Sequence, residues 1–201
     1  MIYILKNKDK KRIRKNKEGN EKMKVLLHTC CAPCSVYCIE DLEKDDIDFD
    51  LYWYNPNIHP YIEYQMRKKT LEEYSKLINH KVIFNDEYGL KNFCKNVINN
   101  LGTRCEDYCY KIRLEQTAKY AKENNYKGFT TTLLVSPYQN TEKIIEIGTR
   151  IAQEYGLEFV VRDFKKGFRQ GQAKARELGM YMQKYCGCVF SEEERYLGKQ
   201  K

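Results

Sequence analysis

The chain has 201 residues, nine cysteines and a formal net charge of +8. That length suits one α/β domain with a sizeable core and is short for two. No run of about 18 or more apolar residues occurs, which argues against a membrane-spanning helix, and the apolar residues 1–5 lack the flanking pattern of a signal peptide.

The charge is uneven. Residues 1–22 hold nine Lys or Arg against Asp9, Glu18 and Glu21, so most of the excess lies there and the body, residues 23–201, is nearly balanced. Such a stretch reads as a solvated basic tail, as an extension upstream of Met23, or as an arm for a polyanion such as nucleic acid. The body reads as a single domain, and the chain is expected to be cytoplasmic and free of any membrane. In that setting, clustered cysteines signal metal or redox chemistry rather than a disulfide framework.

Residues 24–28, Lys-Val-Leu-Leu-His, form a short apolar run that predicts a buried strand ending in a functional loop. Pro33 is placed to open a helix through Ser35, Tyr37, Ile39 and Leu42. Residues 47–54 predict a second strand, stopped by Asn55-Pro56-Asn57. A helix is expected over 60–79, a strand over 81–84 and a helix over 88–100. The pattern Ile112, Leu114, Ala118, Ala121 predicts a helix over 109–124. A strand over 128–135, a helix from Thr141, a strand over 157–161 and a helix over 170–178 complete the order. This alternation predicts an α/β fold, a mainly parallel sheet with helices on both faces, Rossmann-like or akin to the nucleotide-hydrolase PP-loop proteins. Ligands of such sheets sit outside the carboxyl ends of the strands, where residues 29–34, 55–60 and 136–140 are expected to meet.

Seven cysteines fall into three groups: Cys30, Cys31 and Cys34; Cys105 and Cys109; Cys186 and Cys188. No single group completes a four-thiolate site, and together they exceed one. Thiolates suit soft iron, and a four-iron cluster takes four of them. The favoured ligands are Cys30, Cys31, Cys105 and Cys109, with Cys34 as an alternative ligand or a ligand to a second iron. A four-cysteine zinc site is the competing reading. Cys186-Gly187-Cys188 would close a very small, strained disulfide ring, suited to cycling between dithiol and disulfide. Further metal ligands or idle thiols are the plainer alternative. Cys38 and Cys94 fit as small core residues.

Other residues carry weaker signals. Asp107, between two proposed ligands, is a candidate metal ligand or proton-transfer group, and equally a solvated loop acid. His28, Tyr54, Asn55, Tyr138, Gln139 and Arg104 are candidate substrate contacts, the aromatic ones by stacking on a base and Arg104 by meeting phosphate. Tyrosines and a buried histidine also serve simply as packing residues.

From residue 23 to residue 194 the chain resembles the cobalamin-independent epoxyqueuosine reductases of the QueH type. The matching segments are His28-Thr29-Cys30-Cys31-Ala32-Pro33-Cys34, Tyr54-Asn55-Pro56-Asn57-Ile58, Arg104-Cys105 with Cys109-Tyr110 and Arg113-Leu114, Thr131-Thr132-Leu133-Leu134 with Ser136-Pro137-Tyr138-Gln139, and Tyr185-Cys186-Gly187-Cys188. The resemblance implies reduction of epoxyqueuosine to queuosine at the tRNA wobble position, a 4Fe–4S cluster, no cobalamin, and an electron donor yet to be named. Many members of that family space the second cysteine pair more closely than Cys105 and Cys109. A tRNA-thiolation enzyme would want a Gly-rich phosphate loop where Cys30 to Cys34 stand. A zinc-containing RNA-binding module and an electron carrier without its own substrate are the other readings.

Overall fold

The computed structural model describes residues 23–198. The basic stretch 1–22 lies outside them. Val25, Leu26 and Leu27 are all fully buried, as are Leu51, Tyr52 and Trp53. Successive strand side chains point to opposite faces, so both faces of these strands are covered, as a parallel sheet requires.

Strand β1 (Lys24–His28) pairs in parallel with β2 (Asp48–Trp53) on one side and β4 (Gly128–Thr131) on the other. β3 (Val82–Phe84) flanks β2, and β5 (Glu158–Phe159) flanks β4. The order is β3-β2-β1-β4-β5. The winding therefore reverses between β1 and β4, which opens a crevice at their carboxyl ends. The register sets His28 opposite Tyr52 and Thr131, so the residues after His28 and Thr131 enter that crevice together.

The described residues form seven α-helices: α1 (Ala32–Lys44), α2 (Tyr61–Leu77), α3 (Leu90–Val97), α4 (Tyr110–Glu123), α5 (Thr141–Tyr155), α6 (Phe168–Glu177) and α7 (Val189–Tyr196). Five of them pack in two sets, α1 with α2 and α6, and α4 with α5. Right-handed crossovers on either side of the reversal place these sets on opposite faces. The predicted α/β architecture is the observed one. No described helix is long and apolar enough to cross a membrane.

Some boundaries differ from the sequence reading. The strand expected over 128–135 ends at Thr131, and Thr132–Val135 form a 3-10 turn. The Thr131 hydroxyl accepts a hydrogen bond from Leu133 N at 3.1 Å, so a local side-chain bond overrides the β-branched propensity of the threonines. The strand expected over 157–161 pairs only at Glu158–Phe159, although Val160 N still donates to Phe129 O. Helix α7 carries a mostly polar sequence with no strong apolar period, and nothing in the pattern announced it.

Candidate functional site

Past β1 the ladder runs one residue further, with Thr29 N donating to Tyr52 O at 2.8 Å. The chain then turns into α1, with Cys31 as its N-cap in extended conformation and Pro33 in its first turn. This turn folds Cys30, Cys31 and Cys34 onto one another, and their Sγ atoms all lie within 4.8 Å, buried. They sit at the amino end of a 13-residue helix, whose partial positive charge favours thiolate. Thr132, delivered by the turn after β4, accepts from Cys30 N at 3.1 Å and donates to Cys30 Sγ at 3.4 Å. From the far end of the chain, Gln183 Nε2 donates to Cys31 Sγ at 2.9 Å and Cys34 Sγ at 3.4 Å.

These contacts divide the proton affinities. The thiols of Cys31 and Cys34, then the Thr132 hydroxyl, donate to Cys30 and push its pKa well below the ordinary thiol value. Burial raises Cys31, and donation to Cys30 raises Cys34. Three converging thiols with hydrogen-bond donors on each sulfur suit a thiophilic metal or an iron–sulfur cluster. The donor set thus fits the metal chemistry expected from the sequence.

Cys105 and Cys109 bound a π-helical turn that leads into α4, closed by Tyr110 N donating to Cys105 O. π-turns often mark functional positions because the wider turn re-aims side chains. Here the two thiols stay free, and Cys109 serves as hydrogen-bond donor to Cys105. That bond, reinforced by Arg104 and Arg113, lowers the Cys105 pKa to about 6, while donating to Cys105 raises Cys109. The pair stands apart from the tight three-thiol group.

Cys186 and Cys188 are both free thiols in different settings. Cys186 is exposed and its Sγ accepts from Gln139 Nε2 at 3.3 Å. Cys188 is buried in a small apolar cluster with Cys109, Phe93 and Val97. Gln139 in turn accepts from the Tyr110 hydroxyl at 2.8 Å. Contacts therefore link the second and third cysteine groups twice, through Tyr110–Gln139–Cys186 and through Cys109–Cys188.

The remaining candidates take varied places. His28 is fully buried, and its ring nitrogens meet Thr131 Oγ1 at 2.9 Å and Tyr54 O at 3.2 Å. Burial lowers its pKa to about 4, so it is a neutral strut between three strand ends. Tyr54 is buried with its hydroxyl donating to Glu87 at 3.1 Å. Asn55 donates to Thr29 O at 3.0 Å, while its buried Oδ1 has no partner. Arg104 is buried, donating to Leu101 O and to Glu194 at 2.8 Å. Asp107 is exposed and accepts from the Thr103 hydroxyl. Tyr138 is 85% exposed, with its ring edge-on to Phe168. Of these, Gln139 and Arg104 reach thiols, at Cys186 and Cys188, and Tyr138 reaches open space, whereas His28 and Tyr54 are engaged in holding the loops.

Three contributors were not singled out from sequence. Thr132 reads as one more β-former. Tyr110 lies in a matching segment but shows no chemistry by itself. Gln183 lies in a stretch without periodicity and offers no local signal.

A family model described as epoxyqueuosine reductase QueH matches residues 25–194. Three curated relatives named epoxyqueuosine reductase QueH are each 36% identical to this chain. The one from Dehalococcoides mccartyi aligns over 173 residues, 86% of this chain and 94% of its own length. That from Thermotoga maritima aligns over 185 residues, 85% and 91% respectively. That from Acinetobacter baylyi aligns over 178 residues, 84% and 80%.

Proposed function

The chain belongs to the QueH family of epoxyqueuosine reductases, and on that premise we propose how its cysteines divide the work of reducing epoxyqueuosine, an oxidoreductase step of queuosine biosynthesis. The observation that carries the proposal is the grouping of the thiols, three in one buried set and the other four linked to one another. Cys30, Cys31 and Cys34 form one buried thiol group, and Gln139 joins the Cys105–Cys109 turn to Cys186 through Tyr110.

In this reading Cys30, Cys31, Cys105 and Cys109 hold a 4Fe–4S cluster, and Cys34 is an alternative ligand or serves a second iron. A bound cluster supplies single-electron transfer and a Lewis-acidic iron. The chain's own residues supply the rest. Removing the epoxide oxygen as water and leaving an alkene consumes two electrons and two protons. Cys186 and Cys188 release two electrons and two protons on closing to a disulfide, so the balance is met for one turnover. An external electron donor then reopens the disulfide.

The departing oxygen needs a proton at the moment the C–O bond breaks. Asp107 is one donor in this reading. Tyr110 is another, since burial pushes its pKa up to about 12 and keeps its hydroxyl protonated beside Gln139. Tyr138 offers an exposed ring on which a base can stack, the way single-stranded RNA is commonly gripped. Asn55, fully buried and donating to Thr29 O, fixes the loop after β2 against the first cysteine loop. His28, Tyr54 and Arg104 support the loops that carry these groups. The partner is tRNA carrying epoxyqueuosine.

The test is anaerobic. The chain is reconstituted with iron and sulfide, analysed for iron, sulfide and zinc, and assayed on epoxyqueuosine-containing tRNA by nucleoside digestion. Queuosine formed in proportion to sulfide content supports the reading. One zinc per chain, no sulfide and no product would overturn it.

A further inference from the structure

Arg67 is the first of three successive basic residues in α2, Arg67-Lys68-Lys69, and it is only 2% exposed. Its Nε donates to Glu63 Oε1 at 2.6 Å, one helical turn earlier. Its two terminal nitrogens reach across to the end of the chain, Nη1 to Cys186 O at 2.7 Å and Nη2 to Tyr185 O at 2.9 Å. A guanidinium presents donors in a rigid planar fork, so it grips two successive carbonyls in a fixed geometry that a lysine's ammonium, with its freely rotating donors, does not impose.

The same stretch is fixed from other directions. His59 N donates to Gly187 O at 2.6 Å, so three consecutive carbonyls, those of 185, 186 and 187, are held. The Tyr185 hydroxyl donates to His59 O at 2.8 Å, and the Arg67 guanidinium lies over the Tyr185 ring. Glu63, itself buried, accepts a second bond from the Tyr181 hydroxyl. A Cβ at residue 187 would lie 3.2 Å from Ile58 Cγ1 and 3.4 Å from Arg67 Nη1, so a side chain there would have to push these neighbours aside by a few tenths of an ångström.

We propose that Arg67, braced by Glu63 and Tyr181, is a positioning residue that holds the Cys186–Cys188 segment in its dithiol form. This rests on the redox role proposed above for that pair. The held backbone keeps Cys186 Sγ beside Gln139 and Cys188 in the cluster with Cys109. Closing a disulfide between residues two apart must turn the peptide units whose carbonyls Arg67 grips. The clamp thus opposes closure, makes the pair more oxidising, and favours its return to the reduced state after each turnover.

The test uses the full-length, anaerobically metal-loaded chain. Wild type and Arg67→Lys are equilibrated in glutathione buffers, thiols are trapped by alkylation, and the 186–188 peptide is read by mass spectrometry. Reduced glutathione is produced as the dithiol is oxidised by glutathione disulfide, so the exchange balances. Arg67→Lys keeps the charge and loses the fork. It is expected to hold about tenfold more disulfide at a given ratio, a fall of about 30 mV in midpoint potential. Tyr181→Phe, which leaves Arg67 in place and loosens its brace, shifts the equilibrium in the same direction and less. If Arg67→Lys does not fold, the same measurement on Tyr181→Phe and Glu63→Gln decides between the outcomes. A wild type that forms the disulfide while the folded variants stay within twofold of it overturns the positioning role alone. A wild type that never forms the disulfide overturns both this role and the redox reading.

Discussion

Thr132 holds Cys30 from two sides, accepting from its backbone N–H and donating to its sulfur. Replacing it with valine keeps the shape and strands a buried N–H, which costs about 1–3 kcal/mol. Thr132→Val is therefore expected to lower the urea midpoint, and Thr132→Ser to restore it. Equal midpoints for all three chains would remove the hydroxyl from the account. His59 gives a second residue-scale expectation. Its Nε2–H donates to Pro56 O at 3.1 Å, while its buried Nδ1 has no partner. Burial lowers its pKa to about 4. The unfolded chain binds that proton near pH 6.5, so stability from the neutral ring is complete above about pH 6.5 and is lost as the pH falls towards 4. At pH 5 the loss amounts to about 2 kcal/mol. Urea titrations at pH 7.5 and pH 5 should show His59→Gln losing less than wild type by that amount. Parallel losses in the two chains would mean that His59 does not titrate on unfolding.

At the scale of elements, α1 and the lead-in to α6 approach each other closely. Gly167 ends the 3-10 turn before α6, and a Cβ there would lie 2.0 Å from Tyr37 Cδ2 on α1. A methyl must push the Tyr37 ring or the helix aside, and overpacking of this kind costs about 1–3 kcal/mol. Gly167→Ala should lower the melting temperature in the wild-type background and have little effect in a Tyr37→Ala background. Additive losses would show that Tyr37 is not the obstacle. The same elements show what the sequence could convey. Buried parallel strands are apolar on both faces, so the run at 24–28 was plain, and the helix after Pro33 followed from the fixed proline φ and the apolar spacing beyond it. Pairing length at β5 and the stop of β4 depended on a side-chain bond and an edge position, which propensity does not encode. Nothing in the sequence marked Arg67, because its partners, the carbonyls of 185 and 186, are more than a hundred residues away. Gln183 was invisible for the same reason. Cysteine groups were legible by spacing, whereas their juxtaposition is a product of topology.

At the scale of the molecule, the β3-β2-β1-β4-β5 order brings the first cysteine group and Thr132 to one crevice. The π-turn and terminal segment then add their thiols through Gln139 and Cys188. Geometry places Cys34 with Cys30 and Cys31, all three Sγ within 4.8 Å of one another, while Cys109 donates a hydrogen bond to Cys105 and packs on Cys188. A cluster spreads its ligands over several irons, so a pair standing off from a compact trio is compatible with one shared assembly. If four ligands come from Cys30, Cys31, Cys105 and Cys109, Cys34 is left to serve a separate iron. Anaerobic reconstitution of Cys34→Ser should then retain wild-type sulfide and lose about one iron per chain. Cys105→Ser and Cys109→Ser should each lose most of the sulfide. The reverse pattern, with sulfide lost in Cys34→Ser and kept in Cys109→Ser, would make the compact trio plus Cys105 the cluster ligands and free Cys109 to act with Cys188. Iron, sulfide and the visible absorption band, measured on folded variants matched by circular dichroism, separate the two arrangements without reference to turnover.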